Sequence, residues 1–174
     1  MGNVKIGNME IGLGDLLLFL GGLLMVISIF FAWDKYVPAL GNDTSISGLN
    51  IIGNKFGDSS DWTYSFMGKA PLFMLIFGII AIVLAILPLF KVNVPALKIV
   101  GAVVALLGLV FAILYLTVGG GAGLYSGDDK DVAEAAIKLG VFKMKLAFGA
   151  YFALIASIVA TVGGVLNVIP MFKK

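Results

Sequence analysis

The chain has no cysteine, no histidine and no arginine, and lysine supplies all 12 of its basic residues. Without Cys there is no disulfide, no thiolate metal ligand and no thiol nucleophile. Without His the commonest general base and metal ligand is missing. Charge of either sign is scarce, at 13% of residues against 60% hydrophobic, where a soluble domain carries roughly 25% and about 45–50%. The net charge of +2 gives no sign of nucleic-acid binding. Ser, Thr and carboxylates are present, but no base, nucleophile and orienting group can be assembled from their spacing. The chain is therefore read as non-enzymatic, with no catalytic, cofactor-binding or metal-binding residue.

What is abundant is apolar sequence, and it is gathered in four blocks: Leu16–Trp33, Leu72–Phe90, Ile99–Val118 and Leu146–Ile169. Each is long enough to cross a hydrocarbon core of about 30 Å at about 1.5 Å per residue. No clear A-x-A cleavage site follows the first block, which is kept as a span. The segments between them are 1–15, 34–71, 91–98, 119–145 and 170–174. The expected fold class is all-α transmembrane. It would be a left-handed four-helix bundle carrying a small extracellular β-sheet built from the first outer loop.

Lysine placement orients the spans. Segments 1–15, 91–98 and 170–174 hold Lys5, Lys91, Lys98, Lys173 and Lys174 against Glu10 and Asp15, a net of +3. The two longer loops hold seven Lys and eight acids, a net of −1. Both termini are then cytoplasmic, in a plasma-membrane protein. The N-x-S/T sequon at Asn42 falls in an outer loop, as glycosylation requires. Trp33, Trp62, Tyr36, Tyr64, Tyr115, Tyr125 and Tyr151 all fall in the outer half or beyond it. Interfacial aromatics normally mark both faces, so a one-sided set points to protein structure on that face.

Inside lipid, helices associate through small residues. The third span offers Gly101, Ala105, Gly108 and Ala112, and the fourth Gly149, Ala153, Ala156 and Ala160. Their mean spacing of about 3.5 is the coiled-coil period. These stripes either pack the bundle internally or form a subunit interface. No acid or Lys lies near mid-membrane, where ion-coupled carriers place such groups. Asp15, next to the first block, reads as a helix N-cap.

The first outer loop is too long and too apolar for an unstructured connection. Trp62–Phe66 alternates aromatic and hydroxyl residues with the period of a half-buried strand. Ser45–Ile52 is a second strand candidate, with Gly48 as a possible bulge, and Tyr36–Leu40 an edge strand because of Pro38. In the second outer loop, Ser126 or Asp128 caps a short helix that ends at Gly140, with Val132, Ala135, Ala136 and Leu139 as its apolar stripe. Asp128, Asp129, Asp131 and Glu134 read as helix N-terminal charge, since their spacing is not that of an EF-hand loop. Trp33, Leu49, Trp62, Tyr64 and Phe66 are the candidate contact residues of the outer domain.

Four spans, internal ends, a β-like first loop and a shorter second loop resemble the claudin-type tetraspan proteins. Trp33 followed by Gly48-Leu49 resembles that family's Trp…Gly-Leu-Trp pattern. Asn50 stands where the final Trp would be, and the family's pair of loop cysteines is absent. The resemblance implies an extracellular sheet that mediates lateral or cell–cell contacts. Beside the lipid bilayer, the expected partner is the chain itself or another membrane or surface protein. The expected role is structural or adhesive. A place as accessory subunit of a larger membrane complex is the alternative, and a small channel or carrier the third choice.

Overall fold

The computed structural model describes residues 3–6, 9–56, 59–60, 63–92, 94–119 and 121–172. An antiparallel hairpin, β1 (Asn3–Ile6) and β2 (Met9–Gly12), leads into helix α1 (Leu13–Ser28). Strands β3 (Ala32–Pro38) and β4 (Thr44–Ser47) follow, then the short helix α2 (Gly48–Ile52) and the two-residue pair β5 (Lys55–Phe56) and β6 (Ser59–Ser60). Helix α3 (Ala70–Ile86) runs into a 3-10 turn at Leu87–Phe90. After α4 (Pro95–Val118) come α5 (Asp128–Lys138), β7 (Phe142–Leu146) and α6 (Phe148–Phe172).

Three helical segments, Ala70–Phe90, Pro95–Val118 and Phe148–Phe172, are long and apolar enough to cross a membrane. Helix α1 is apolar but shorter, at 16 residues, or about 24 Å. It stops at Ser28 although the uncharged run continues to Trp33, because Ala32 and Trp33 are drawn into β3. α1 packs on α3 and α6, and α4 packs on the same two helices.

Small residues set how closely the helices approach. A Cβ added at Gly163 would lie 2.3 Å from the Leu18 backbone nitrogen, and one at Gly21 2.3 Å from that of Ala160. Only glycine allows α1 and α6 to touch backbone to backbone at these two levels. Gly101, Ala105, Gly108 and Ala112 on α4 are buried, as are Gly149, Ala153, Ala156 and Ala160 on α6. These stripes lie inside the chain's own helix contacts. The Thr161 hydroxyl crosses between the two helices to the Ala105 carbonyl at 3.1 Å and also bonds back to Ser157 O at 2.7 Å. Ser28 and Ser157 bond only to their own helix backbone, the usual habit of helical hydroxyls.

The three-stranded antiparallel sheet has the order β4-β3-β7. It corrects the expected sheet in three respects. β3 is the central strand and not an edge, since Pro38 sits at its last position, where a missing N–H costs least. The Ser45–Ile52 candidate is half strand and half helix. Ser47 ends β4 and caps α2, its Oγ accepting from Asn50 N at 3.2 Å and donating to Asn50 Oδ1 at 2.6 Å. Gly48 therefore opens a helix and is no bulge. The third strand, β7, comes from the second loop. Trp62–Phe66 contributes no strand among the described residues, only an isolated bridge between Tyr64 and Tyr125.

Two helix details also differ. Asp15 is not an N-cap: Gly12 holds that position, and Asp15 lies in the first turn, buried against α6. In α5 the cap is Gly127, and the buried face is Ala133 with Ala136 and Ile137 beside it. Val132, Ala135 and Leu139, expected on the apolar stripe, are exposed. Gly140 does end this segment, in the left-handed conformation with φ +71°.

Candidate functional site

Where α1 ends and α6 begins, β3 and β7 lie side by side, with Asp34 opposite Leu146 and Pro38 opposite Phe142. The sheet with α2, α5 and the adjoining turns forms a cap on one end of the helices. The far end carries the β1–β2 hairpin.

The cap is built around a buried polar cluster. Trp33 is fully enclosed. Its Nε1–H donates to Ser28 O at 2.8 Å, a carbonyl at the end of α1 that Phe31 N also reaches at 3.2 Å. Its ring stands edge-on to Tyr115 of α4, with centroids 4.8 Å apart and an 88° interplanar angle. The Tyr115 hydroxyl donates to Asp34 Oδ2, and both residues are fully buried. A carboxylate taken out of water in this way is held only by good hydrogen bonds.

A second cluster ties the two loops together. Ser65 N donates to Leu124 O at 2.8 Å and Ser126 N to Thr63 O at 2.9 Å, placing the Tyr64 and Tyr125 rings 5.3 Å apart. Thr63 N reaches the Asp129 carboxylate at 2.7 Å, and the Tyr64 hydroxyl donates to Lys55 O at 2.9 Å. Burial pushes both phenols well above the ordinary tyrosine range. For Tyr64 the nearby Asp34 charge adds to this; for Tyr125, neighbouring Tyr64, Asp34 and Asp129 do.

The outer surface of the cap is of a different character. Lys35 is registered against Lys145, and Val37 against Lys143, so one face of the sheet carries three lysines. Among the described residues, Lys35 pairs with an acid in a side-chain bridge, 2.6 Å from Asp43. At the far end of β3, Ala39 N donates to Val141 O at 2.9 Å. This bond sets the turn after β3 beside the turn before β7. Leu40 is 92% exposed and Leu139 80%, and Val141 is also exposed. Beneath them lies a recess of about 320 Å³ lined by Val37, Pro38, Ala39, Gly140, Phe142 and Lys143.

The residues singled out from sequence divide between interior and surface. Trp33 and Tyr64 are interior and cannot touch a partner, while Leu49 and Phe66 are exposed. Phe66 stands where the cap meets the helices, with its ring 5.1 Å from Phe73 and 5.5 Å from Phe111. Trp62 lies outside the described residues. Asn42 is exposed in the turn before β4. Asp128, Asp129 and Asp131 occupy the first turn of α5, and Glu134 bonds electrostatically to Lys130 and Lys138 at 3.8 Å each. The sequence reading missed Leu40, Leu139 and Val141 as a surface feature. It also missed the pairing of Asp34 with Tyr115. The first lie on either side of Gly41 and Gly140, the kind of turn position that brings distant apolar residues together without leaving a periodic signal.

No family model matches the chain, and no curated protein or solved structure matches it.

Proposed function

We propose that this is a four-span, non-enzymatic membrane protein whose cap faces the exterior and docks on a second copy of the chain or on another surface protein. The exposed Leu40–Leu139–Val141 tip carries the reading. It projects from a braced sheet on the face opposite the lysine-rich short segments, where the positive-inside rule places water outside the cell. Large aliphatic side chains so exposed lose free energy unless covered. Full burial of the two leucines is worth about 3–6 kcal/mol of transfer free energy, from which the association and ordering costs of docking are drawn.

In this proposal α1 completes the set of spans, its length made up by Ile29–Phe31 before the strand begins, and the four helices form one bundle with both termini cytoplasmic. The proposed likeness to claudin-type proteins draws support from contact between the residues that carry it: a Cβ on Gly48 would lie 3.0 Å from Trp33 Nε1. The buried small-residue stripes are assigned to packing within the chain.

The test is association in nanodiscs and mild detergent, and crosslinking in native membranes, for the wild type and for Leu40→Asp/Leu139→Asp. The wild type is expected to form a defined assembly or crosslink at the tip, and the double variant to lose it with its helices intact. A wild type that stays monomeric at all concentrations and crosslinks to nothing refutes the proposal. A reproducible large partner gripping the helices, with the tip free, supports the accessory-subunit alternative instead.

A further inference from the structure

At the hairpin end, α1 and α6 are pinned by a polar pair inside an apolar surround. Asn167 Nδ2 donates to Asp15 Oδ1 at 2.7 Å, and both residues are buried. Among the described residues no donor reaches the second oxygen, Oδ2. Asp15 is also, among the described residues, the single polar one bordering a groove of about 200 Å³ between α1 and the end of α3. Leu16, Phe19, Ala85, Ile86 and Leu89 supply its apolar walls. The space exceeds that of one water, whose share of the liquid is about 30 Å³. Asp15 and Asn167 border a second, much smaller recess together with Lys98. An anionic group at the end of an apolar slot, with a cation nearby, is the complement of a zwitterionic lipid: ammonium, phosphate, acyl chain.

We propose that this groove holds one phospholipid with a primary-ammonium headgroup of the ethanolamine type. Its ammonium donates to Asp15 Oδ2, its phosphate lies toward Lys98, and one acyl chain runs along Phe19, Ile86 and Leu89. A primary ammonium is favoured over a trimethylated one because it donates hydrogen bonds, which a carboxylate oxygen accepts and a trimethylated nitrogen cannot supply. The inference rests on α1 and α3 lying in the bilayer, as proposed above.

The experiment is native mass spectrometry of the full chain released from nanodiscs. These contain ethanolamine, choline and glycerol phospholipids with identical acyl chains. Flotation of the wild type with vesicles is measured first. One tightly retained ethanolamine lipid is expected, about tenfold over choline or glycerol lipid. Asp15→Asn, which keeps an oxygen for Asn167, should abolish the headgroup preference. Leu89→Trp, a change at a partly exposed position that fills the groove, should lower retention of all three. Equal retention of the three lipids by the wild type, a preference for the anionic glycerol lipid, or variants that bind as the wild type does would each overturn the site. Failure to float would instead refute the membrane reading on which it depends.

Discussion

Replacing Tyr115 by Phe removes one oxygen and leaves the ring that Trp33 packs against. The lost bond joins a neutral hydroxyl to the Asp34 carboxylate, with both partners fully buried. Hydrogen bonds to a charged group contribute about 1.5–3 kcal/mol. The edge-on aromatic contact, about 0.5–1.5 kcal/mol, is retained in the variant, so the hydroxyl is isolated. The local opening constant of the cap should therefore rise roughly ten- to a hundredfold, at about 1.4 kcal/mol per factor of ten. Amide hydrogen exchange in nanodiscs reads this directly on β3 and β7, with the middle of α4 and α6 as internal control. The cycle is completed with Asp34→Ala, which removes the acceptor, and the double variant, and the coupling should match the single loss to within a factor of two. Exchange in β3 unchanged by Tyr115→Phe, or a coupling near zero, would show that the Asp34–Tyr115 bond does not hold the cap.

Trp33→Phe should cost about 2 kcal/mol of cap stability, from the Nε1 bond to Ser28 O and lost packing volume; exchange at the end of α1 measures it, and an unchanged rate contradicts the buried position. Gly163→Val places a side chain 2.3 Å from the Leu18 nitrogen. It should part α1 from α6 and abolish monodisperse protein in size-exclusion chromatography, whereas Val162→Ala on the exposed side of the same helix should be silent. For pH the sign follows from the raised folded-state values of Tyr64 and Tyr125 against an ordinary 10.0. Below pH 10 both states are protonated and the stability is intact. Above it the unfolded phenols ionise and the cap weakens as pH rises. Tyrosinate absorbance should show a late-titrating class beyond the exposed tyrosines, and a single transition near pH 10 for all five would contradict the burial.

The helices were legible because uncharged runs of about 20 residues have one reading in lipid. Their ends were not. Leu16–Trp33 is continuous in hydropathy, and nothing in that scale separates a helical Ser28 from an extended Trp33. Pairing of β3 with a strand more than a hundred residues away decides it. β7 carried its own signal, since Phe142-Lys143-Met144-Lys145-Leu146 alternates as cleanly as Trp62–Phe66. Its position against the last apolar block hid it. Trp62–Phe66 has the right period, but among the described residues of this stretch one bridge, Tyr64 to Tyr125, is formed, and a period without a partner strand makes no sheet. Asp15 next to an apolar run suits a cap on local grounds alone. Asn167, 152 positions later, turns it inward. For the tip, Leu40 and Val141 are ordinary residues in ordinary turns until the Ala39–Val141 bond sets them side by side.

The helices continuous with the two paired strands, α1 and α6, are also the two whose backbones meet at Gly21 and Gly163. A pull applied at the tip enters β3 and β7 together and runs lengthwise into both helices. The ladder between the strands is then loaded along its length and not peeled open one bond at a time. Mechanical tension would reach the hairpin end as an axial displacement of a paired rod, with the Asp15–Asn167 contact as its foot.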